Sequence, residues 1–352
     1  MLFSAIKYGA LSGKTRSMFG KLLKSHDYQE MMQKKNENEI ASYLKYNTHF
    51  SSVLSEVEED KIHRGHLENI LRREYINDYA KLMRFSNGGQ REFINLLYLK
   101  IEIESLKLLL RVFEAGDIDQ GVLEESLLFL TRYDEINIPK LALSRNLEEL
   151  LSGLKGTDYY EVMHHFISMN SDTRLFNLEM ALDLYYFRKI QEVFDRVLHG
   201  EDKDIAKEFS GIEIDVFNIF WIYRSKTYYQ TDKELIHTYV IPSYYRITPR
   251  IIDNLIEAKS SEEFYSVLQD TSYGYLFEGK DPGIFERNYN EFLYDLHRKR
   301  FIRNTFSIAC VISYLRLKEY ELNNIISIIE GLHYKLPPED LRKFVVGAGF
   351  NL

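Results

Sequence analysis

With a single cysteine, Cys310, this 352-residue chain cannot form an internal disulfide, which fits a reducing compartment. Cys310 lies in the apolar run Phe306-Ser307-Ile308-Ala309-Cys310-Val311-Ile312, where it is expected to act as a small buried hydrophobe. Proline is scarce: there are six, none before Pro139. Proline removes a backbone donor and clashes with the preceding turn, so its absence leaves long helices uninterrupted. No apolar run approaches the ~20 residues that cross a bilayer. The longest, Val216–Tyr223 and Phe306–Leu315, fall well short. The first 24 residues mix Lys and Arg with short apolar steps and carry no signal-type hydrophobic segment. Any membrane association is therefore expected to run through partners. Basic charge is not in excess either. Lys and Arg number 45 against 53 Asp and Glu, a net charge of -8, which argues against nucleic acid as a partner.

What the chain does have is aromatic residues and helical periodicity. Tyr (26) and Phe (22) bring the aromatic share to 14%, enough for a stiff core. Apolar residues recur at three- and four-residue steps: Leu67, Ile70, Leu71, Ile76, Tyr79 and Leu82; then Leu178, Ala181, Leu182, Tyr185, Tyr186 and Ile190; then Phe292, Leu293, Leu296, Phe301, Thr305 and Ile308. That spacing predicts an all-α fold. Breaks are expected at Asn87-Gly88-Gly89, Gly116, 153–156, Gly200, 242–249, 274–283 and Pro337-Pro338.

The sequence also repeats itself. Thr48-His49-Phe50, Thr157-Asp158-Tyr159 and Thr271-Ser272-Tyr273 share a Thr-x-aromatic marker at separations of 109 and 114 residues, each closely preceded by a leucine (Leu44, Leu154, Leu268). A closing marker recurs in the same order: Glu102-Ile103-Glu104-Ser105-Leu106, Asp215-Val216-Phe217-Asn218-Ile219 and Glu321-Leu322-Asn323-Asn324-Ile325, at separations of 113 and 106. Two markers at nearly one period predict three diverged helical units over residues 1–118, 119–232 and 233–352. The units are far longer than solenoid repeats. Threonine before an aromatic suits a helix start, with the hydroxyl capping free amides. In the closing marker the acid and the Asn or Ser lie three apart on one helix face, placed to tie each bundle together. Trp221, beside that marker in the middle unit, is expected to be buried.

Catalytic chemistry is not evident. Gly9-Ala10-Leu11-Ser12-Gly13-Lys14-Thr15 superficially suggests a phosphate loop, but Tyr8 stands where the first glycine is required. His63 with His66 and His164 with His165 lack further metal ligands. There is no nucleophile elbow, paired cysteine or dinucleotide fingerprint. No catalytic, cofactor-binding or metal-binding residue is therefore expected, and no cofactor. The densest basic run is His297-Arg298-Lys299-Arg300 followed by Arg303. On a helix it forms either a solvated face or a contact for acidic loops or lipid head groups; Arg298, Lys299, Arg300 and Arg303 are the candidate partner-contact residues.

The stretches Glu213–Ile219 and Tyr314–Gly331, with Ile6-Lys7-Tyr8-Gly9-Ala10-Leu11, Arg16 and Leu22-Leu23 near the start, resemble the central-stalk subunit of V-type and A-type ATPases, known as the C subunit in prokaryotes and the d subunit in eukaryotes. The resemblance covers essentially the whole chain. It departs at Ile325-Ile326, where Leu-Arg is expected, and at Ser105, where Asn is usual. It implies three helical domains forming a funnel around a pseudo-threefold axis. It further implies a non-catalytic rotor part at the cytoplasmic face of a membrane. Its partners there are the central axle subunits of the ATPase head and the membrane proteolipid ring, in support of H+ or Na+ transport. A helical scaffold outside such a complex and a helical hydrolase are the alternative readings.

Overall fold

A computed structural model describes residues 2–115, 136–167, 171–229, 231–277 and 282–349, and among them every regular element is a helix. In chain order the α-helices are α1 (Leu2–Phe19), α2 (Ser25–Met32), α3 (Glu37–Asn47), α4 (Arg64–Met83), α5 (Gly88–Ala115), α6 (Ile138–Ala142), α7 (Leu147–Gly153), α8 (Asp158–Met163), α9 (Ser171–Val197), α10 (Glu201–Arg224), α11 (Lys233–Tyr239), α12 (Pro249–Glu257), α13 (Ser261–Gln269), α14 (Pro282–Arg303), α15 (Ile308–His333) and α16 (Pro338–Leu341). The all-α expectation holds. The chain groups into two compact units, one of residues 1–157 with 290–352 and one of residues 158–289.

In the first unit α15 is the central element. Its residues Ile308 to Leu315 are all buried, and it packs against α1, α2, α3 and α4. Cys310 is fully buried, as expected, with its sulfur 3.8 Å from the Ser12 hydroxyl. The stripe read from α4 is partly redrawn. Leu67, Leu71, Tyr79 and Leu82 are buried, whereas Ile70 and Ile76 are only half-buried. Glu74 and Asp78 are buried in their place. Charge is tolerated there because Lys81 reaches both carboxylates, at 2.6 and 2.9 Å, and the Tyr314 hydroxyl of α15 donates to Asp78. A second buried cluster joins α15 to the segment after α3. Lys318 pairs with Glu321, donates to His49 Nε2 at 2.6 Å and lies over the Phe50 ring at 4.4 Å.

In the second unit α10 is the counterpart of α15, packing against α9 and α12. Leu178, Ala181, Leu182, Tyr185, Tyr186 and Ile190 of α9 are all buried, as their spacing predicted. Trp221 is buried as well. It stacks on Phe176 at 5.1 Å, meets the edge of Tyr239 at 5.7 Å, and donates its indole N–H to the Ile236 carbonyl.

The repeat markers have matching local geometry. The Thr48 hydroxyl donates to Leu44 O at 2.6 Å and accepts from Phe50 N; the Thr271 hydroxyl donates to Leu268 O at 2.6 Å and accepts from Tyr273 N; the Thr157 hydroxyl donates to Leu154 O at 2.7 Å. Each threonine thus ties off the end of its leucine-bearing helix, and two of them also cap the next turn. In the closing marker Asn218 and Asn324 behave alike. Asn218 donates to Ile241 O and accepts from Ile241 N, at 3.0 and 2.9 Å. Asn324 does the same with Val346, at 2.9 and 2.9 Å. Ser105 is too short to reach across and instead bonds back to Ile101 O.

A third marker escaped the sequence reading. Asn36, Asn146 and Ser260 each cap a helix by accepting from the amide three residues on. Glu39, Glu149 and Glu263 each reach back to the amides of Lys35, Arg145 and Lys259. These are three variants of the reciprocal capping box, with each Glu on the amide just before the cap, and an N-cap of this kind is worth about 1 kcal/mol.

Truncation of Trp221 to alanine empties a packed site and orphans the Ile236 carbonyl; Trp221→Ala should cost about 3–5 kcal/mol in urea unfolding. A pH dependence is expected at His49. Burial first, then the Lys318 ammonium, hold its pKa down at about 3, while Lys81 and Lys21 act in the same direction. Burial also holds His297 well below the usual range. Below the unfolded-state value of ~6.5 the unfolded chain takes up protons that the folded chain refuses, so stability is lost as pH falls towards 3. The loss is about 1.4 kcal/mol per pH unit for each histidine. Urea titrations at pH 7.0 and 5.5 should show this slope reduced in His49→Gln relative to the parent; equal slopes would exclude His49 as a contributor.

Candidate partner-contact surface

The basic run lies on the last two turns of α14, and its placement there is set by helix geometry. His297 and Phe301, four residues apart, are the buried contacts of this segment. Phe301 stacks on Phe19 of α1 at 4.0 Å. At 3.6 residues per turn, Lys299, Ile302 and Arg303 then point opposite to that contact, with Arg298 and Arg300 on the flanks. Exposure agrees: Arg298, Lys299 and Arg303 are exposed and Arg300 is half-buried. Lys299 is 4.0 Å from Asp295, and among the described residues neither Arg298 nor Arg303 forms an ion pair. Cations are favoured here locally, since the C-terminal end of a helix carries partial negative charge.

The end of α14 is held rigidly by α1. Arg16 donates to Phe301 O at 3.1 Å and to Thr305 Oγ1 at 2.8 Å, and Ser12 donates to Thr305 O at 2.5 Å. Arg16 therefore occupies a late carbonyl of α14 in the manner of a basic C-terminal cap. The sequence reading singled out the cations but missed two apolar residues on the same stretch. Ile302, 60% exposed, shares the helix face of Lys299 and Arg303, and Phe306, past the helix end, is 41% exposed. Nothing in the sequence separates Ile302 from the buried Phe301 except the helical phase set by His297 and Phe301. The surface is thus a cationic face with an apolar centre, suited to an acidic or amphipathic partner.

Other candidate segments are accounted for by structure. Gly9–Thr15 lies within α1, where the Thr15 hydroxyl donates to Leu11 O and the backbone amides are committed to the helix. His63 precedes α4, and His164 Nδ1 lies 2.6 Å from the Glu161 carbonyl in a short turn. Among the described residues no three His, Cys, Asp or Glu side chains are grouped to hold a metal ion. No helix among them is long and apolar enough to cross a membrane. An open basin beside α3, lined by Lys34, Asn36, Glu39, Tyr43 and Tyr46 among others, has mixed charge; its polar groups are engaged in the Asn36 cap and a Lys34–Glu30 pair.

Comparison with known proteins places this architecture. The family model described as ATP synthase (C/AC39) subunit matches residues 11–344. The C subunit of the A-type ATP synthase of Methanocaldococcus jannaschii is 25% identical over 358 residues, covering 98% of this chain and 88% of its own length. That of Archaeoglobus fulgidus is 24% identical, covering 95% and 94%, and that of Thermococcus kodakarensis 22% identical, covering 98% and 92%. The match runs through the second half of α1, through all three marker sets and through the cationic face of α14, and on that span the chain belongs to the ATP synthase (C/AC39) subunit family.

Proposed function

We propose that this protein is a non-catalytic rotor subunit of an A/V-type rotary ATPase, which couples the central axle of the ATPase head to the membrane proteolipid ring. The observation that carries the reading is the family match over residues 11–344, together with relatives named as the C subunit of A-type ATP synthases along nearly their whole length. The physical character of the chain supports it. A coupling part must resist twisting, and here long helices are locked by buried aromatic contacts and buried charge pairs rather than by flexible loops. In this reading the three sequence units stand around a pseudo-threefold axis as a funnel, and the protein sits peripherally at the cytoplasmic face of the membrane, held there by its partners.

The cationic face of α14 is the contact we assign to the membrane-side partner. Replacing Arg298, Lys299, Arg300 and Arg303 together with Gln should weaken association with the proteolipid ring and flatten its dependence on salt. Any single replacement should do little, since exposed charge pairs contribute about 0–1 kcal/mol each. Unchanged binding by the fourfold variant at low and high salt would return this face to ordinary solvated surface.

The function itself is tested in reconstituted vesicles, where ATP hydrolysis and uptake of H+ or Na+ are measured together. Complexes lacking this chain should retain hydrolysis by the head and lose ion uptake, and adding the chain back should restore it. The isolated chain should hydrolyse no ATP. Full coupled uptake without the chain would refute the rotor role.

A further inference from the structure

The two long helices α10 and α15 pin non-helical backbone in the same way, but on α15 the pinned backbone comes from both ends of the chain. After α10 the chain runs through α11 into a non-helical linker, then into the helix pair α12–α13 and the Thr271–Tyr273 marker. α10 pins that linker at two points one turn apart. Asn218 holds both main-chain groups of Ile241, and Asp215 accepts from Tyr245 N and Arg246 N at 3.1 and 2.7 Å. Asp215 also accepts from the hydroxyl of Tyr273.

On α15 the first pin is the same: Asn324 holds both main-chain groups of Val346, six residues before the chain ends. The second pin is filled from the other terminus. Glu321, in the place of Asp215, accepts from Leu23 N at 2.6 Å. Leu23 leads directly into the helix pair α2–α3 and then into the Thr48–Phe50 marker, where His49 lies 3.5 Å from Glu321. The pairs correspond in detail: α3 and α13 open with the same capping box, at Asn36 and Glu39 in one and at Ser260 and Glu263 in the other. The pair α6–α7 stands against α5 and carries the third such box, at Asn146 and Glu149.

We infer that each structural module consists of the long helix that ends one sequence copy and the helix pair that opens the next, and that the N-terminal pair α2–α3 is a strap completing the module of α15. The connectivity is then a closed cycle of three modules, interrupted inside a single linker whose uninterrupted form is residues 241–246. No sequence copy is a self-sufficient domain, and the strap is held on α15 without covalent continuity by Glu321 and Lys318. This cycle rests on the hydrogen-bond correspondence and is independent of the rotor role.

Hydrogen exchange on the full chain tests it. Glu321→Ala should raise amide exchange in α2 and α3 by about tenfold or more, as local opening free energy falls. Glu321→Gln, which keeps an acceptor for Leu23 N, should raise it less. Asp215→Ala should do the same to α12 and α13. Unchanged protection of α2–α3 in Glu321→Ala would overturn the inference. If that variant does not fold, a circular permutant decides. The C-terminus is joined to the N-terminus by a flexible linker of about 20 Gly and Ser residues, long enough to run the length of α1, and the chain is opened between Ser243 and Tyr244. The permutant should keep parental helicity and one cooperative unfolding transition. A parental chain with a short flexible insertion at the same point serves as the control. An insertion that folds beside a permutant that does not would overturn the cycle, and so would an insertion that itself unfolds the chain.

Discussion

Non-helical backbone packed against a helical bundle has no neighbouring strand to satisfy it, and its amides and carbonyls must still find partners. Here the partners are side chains on the buried faces of the long helices. Asp215 and Asn218 are fully buried on α10, and Glu321 and Asn324 nearly so on α15. Each acid accepts from main-chain amides, and each Asn exchanges two bonds with one residue. An unmade bond at such a site costs roughly 1–3 kcal/mol, so these side chains fix where the linkers run. The linkers in turn fix where the short helix pairs dock. Burial pushes the Asp215 carboxyl up, and the amides of Arg246 and Tyr245 with the Tyr273 hydroxyl oppose that rise.

Around these pins the core is built from rings and from charges that come in sets. Trp221, Phe176 and Tyr239 form one aromatic group, and Tyr75, Tyr79 and Tyr98 another. Tyr hydroxyls in such positions act as donors to buried carboxylates, as Tyr314 does to Asp78 and Tyr273 to Asp215. Removing one member of such a set strands the others in a low-dielectric interior, so single truncations there are strongly destabilising. The charges outside these sets lie on exposed faces, as Arg298, Lys299 and Arg303 do on α14.

Much of this was legible in residue order. The helical period of Leu178 to Ile190 predicted a face that is buried throughout, and the Thr-x-aromatic and acid-to-Asn markers pointed to sites with matching hydrogen bonds. Where the reading missed, it missed for physical reasons. Ile70 and Ile76 looked like core on α4, yet Glu74 and Asp78 took that role because Lys81 pairs with both and the Tyr314 hydroxyl donates to Asp78. The capping boxes at Asn36, Asn146 and Ser260 were visible as a polar residue three before a glutamate, a pattern too common to stand out until three copies were seen to make the same bonds. The cationic run was found by composition, but the exposed Ile302 at its centre depends on which way α14 is turned.

The sequence by itself determined the helical class, the family, the threefold recurrence and the residue types at each recurring point, because helix period and local capping act over a few residues. Only the tertiary structure decided which copies share a module. Leu23 and Glu321 are 298 residues apart, and no local pattern in either terminus announces that they meet. The pairing arises because α15 offers a buried acceptor and a buried side-chain amide one turn apart, to which Leu23 and Val346 bring main-chain groups.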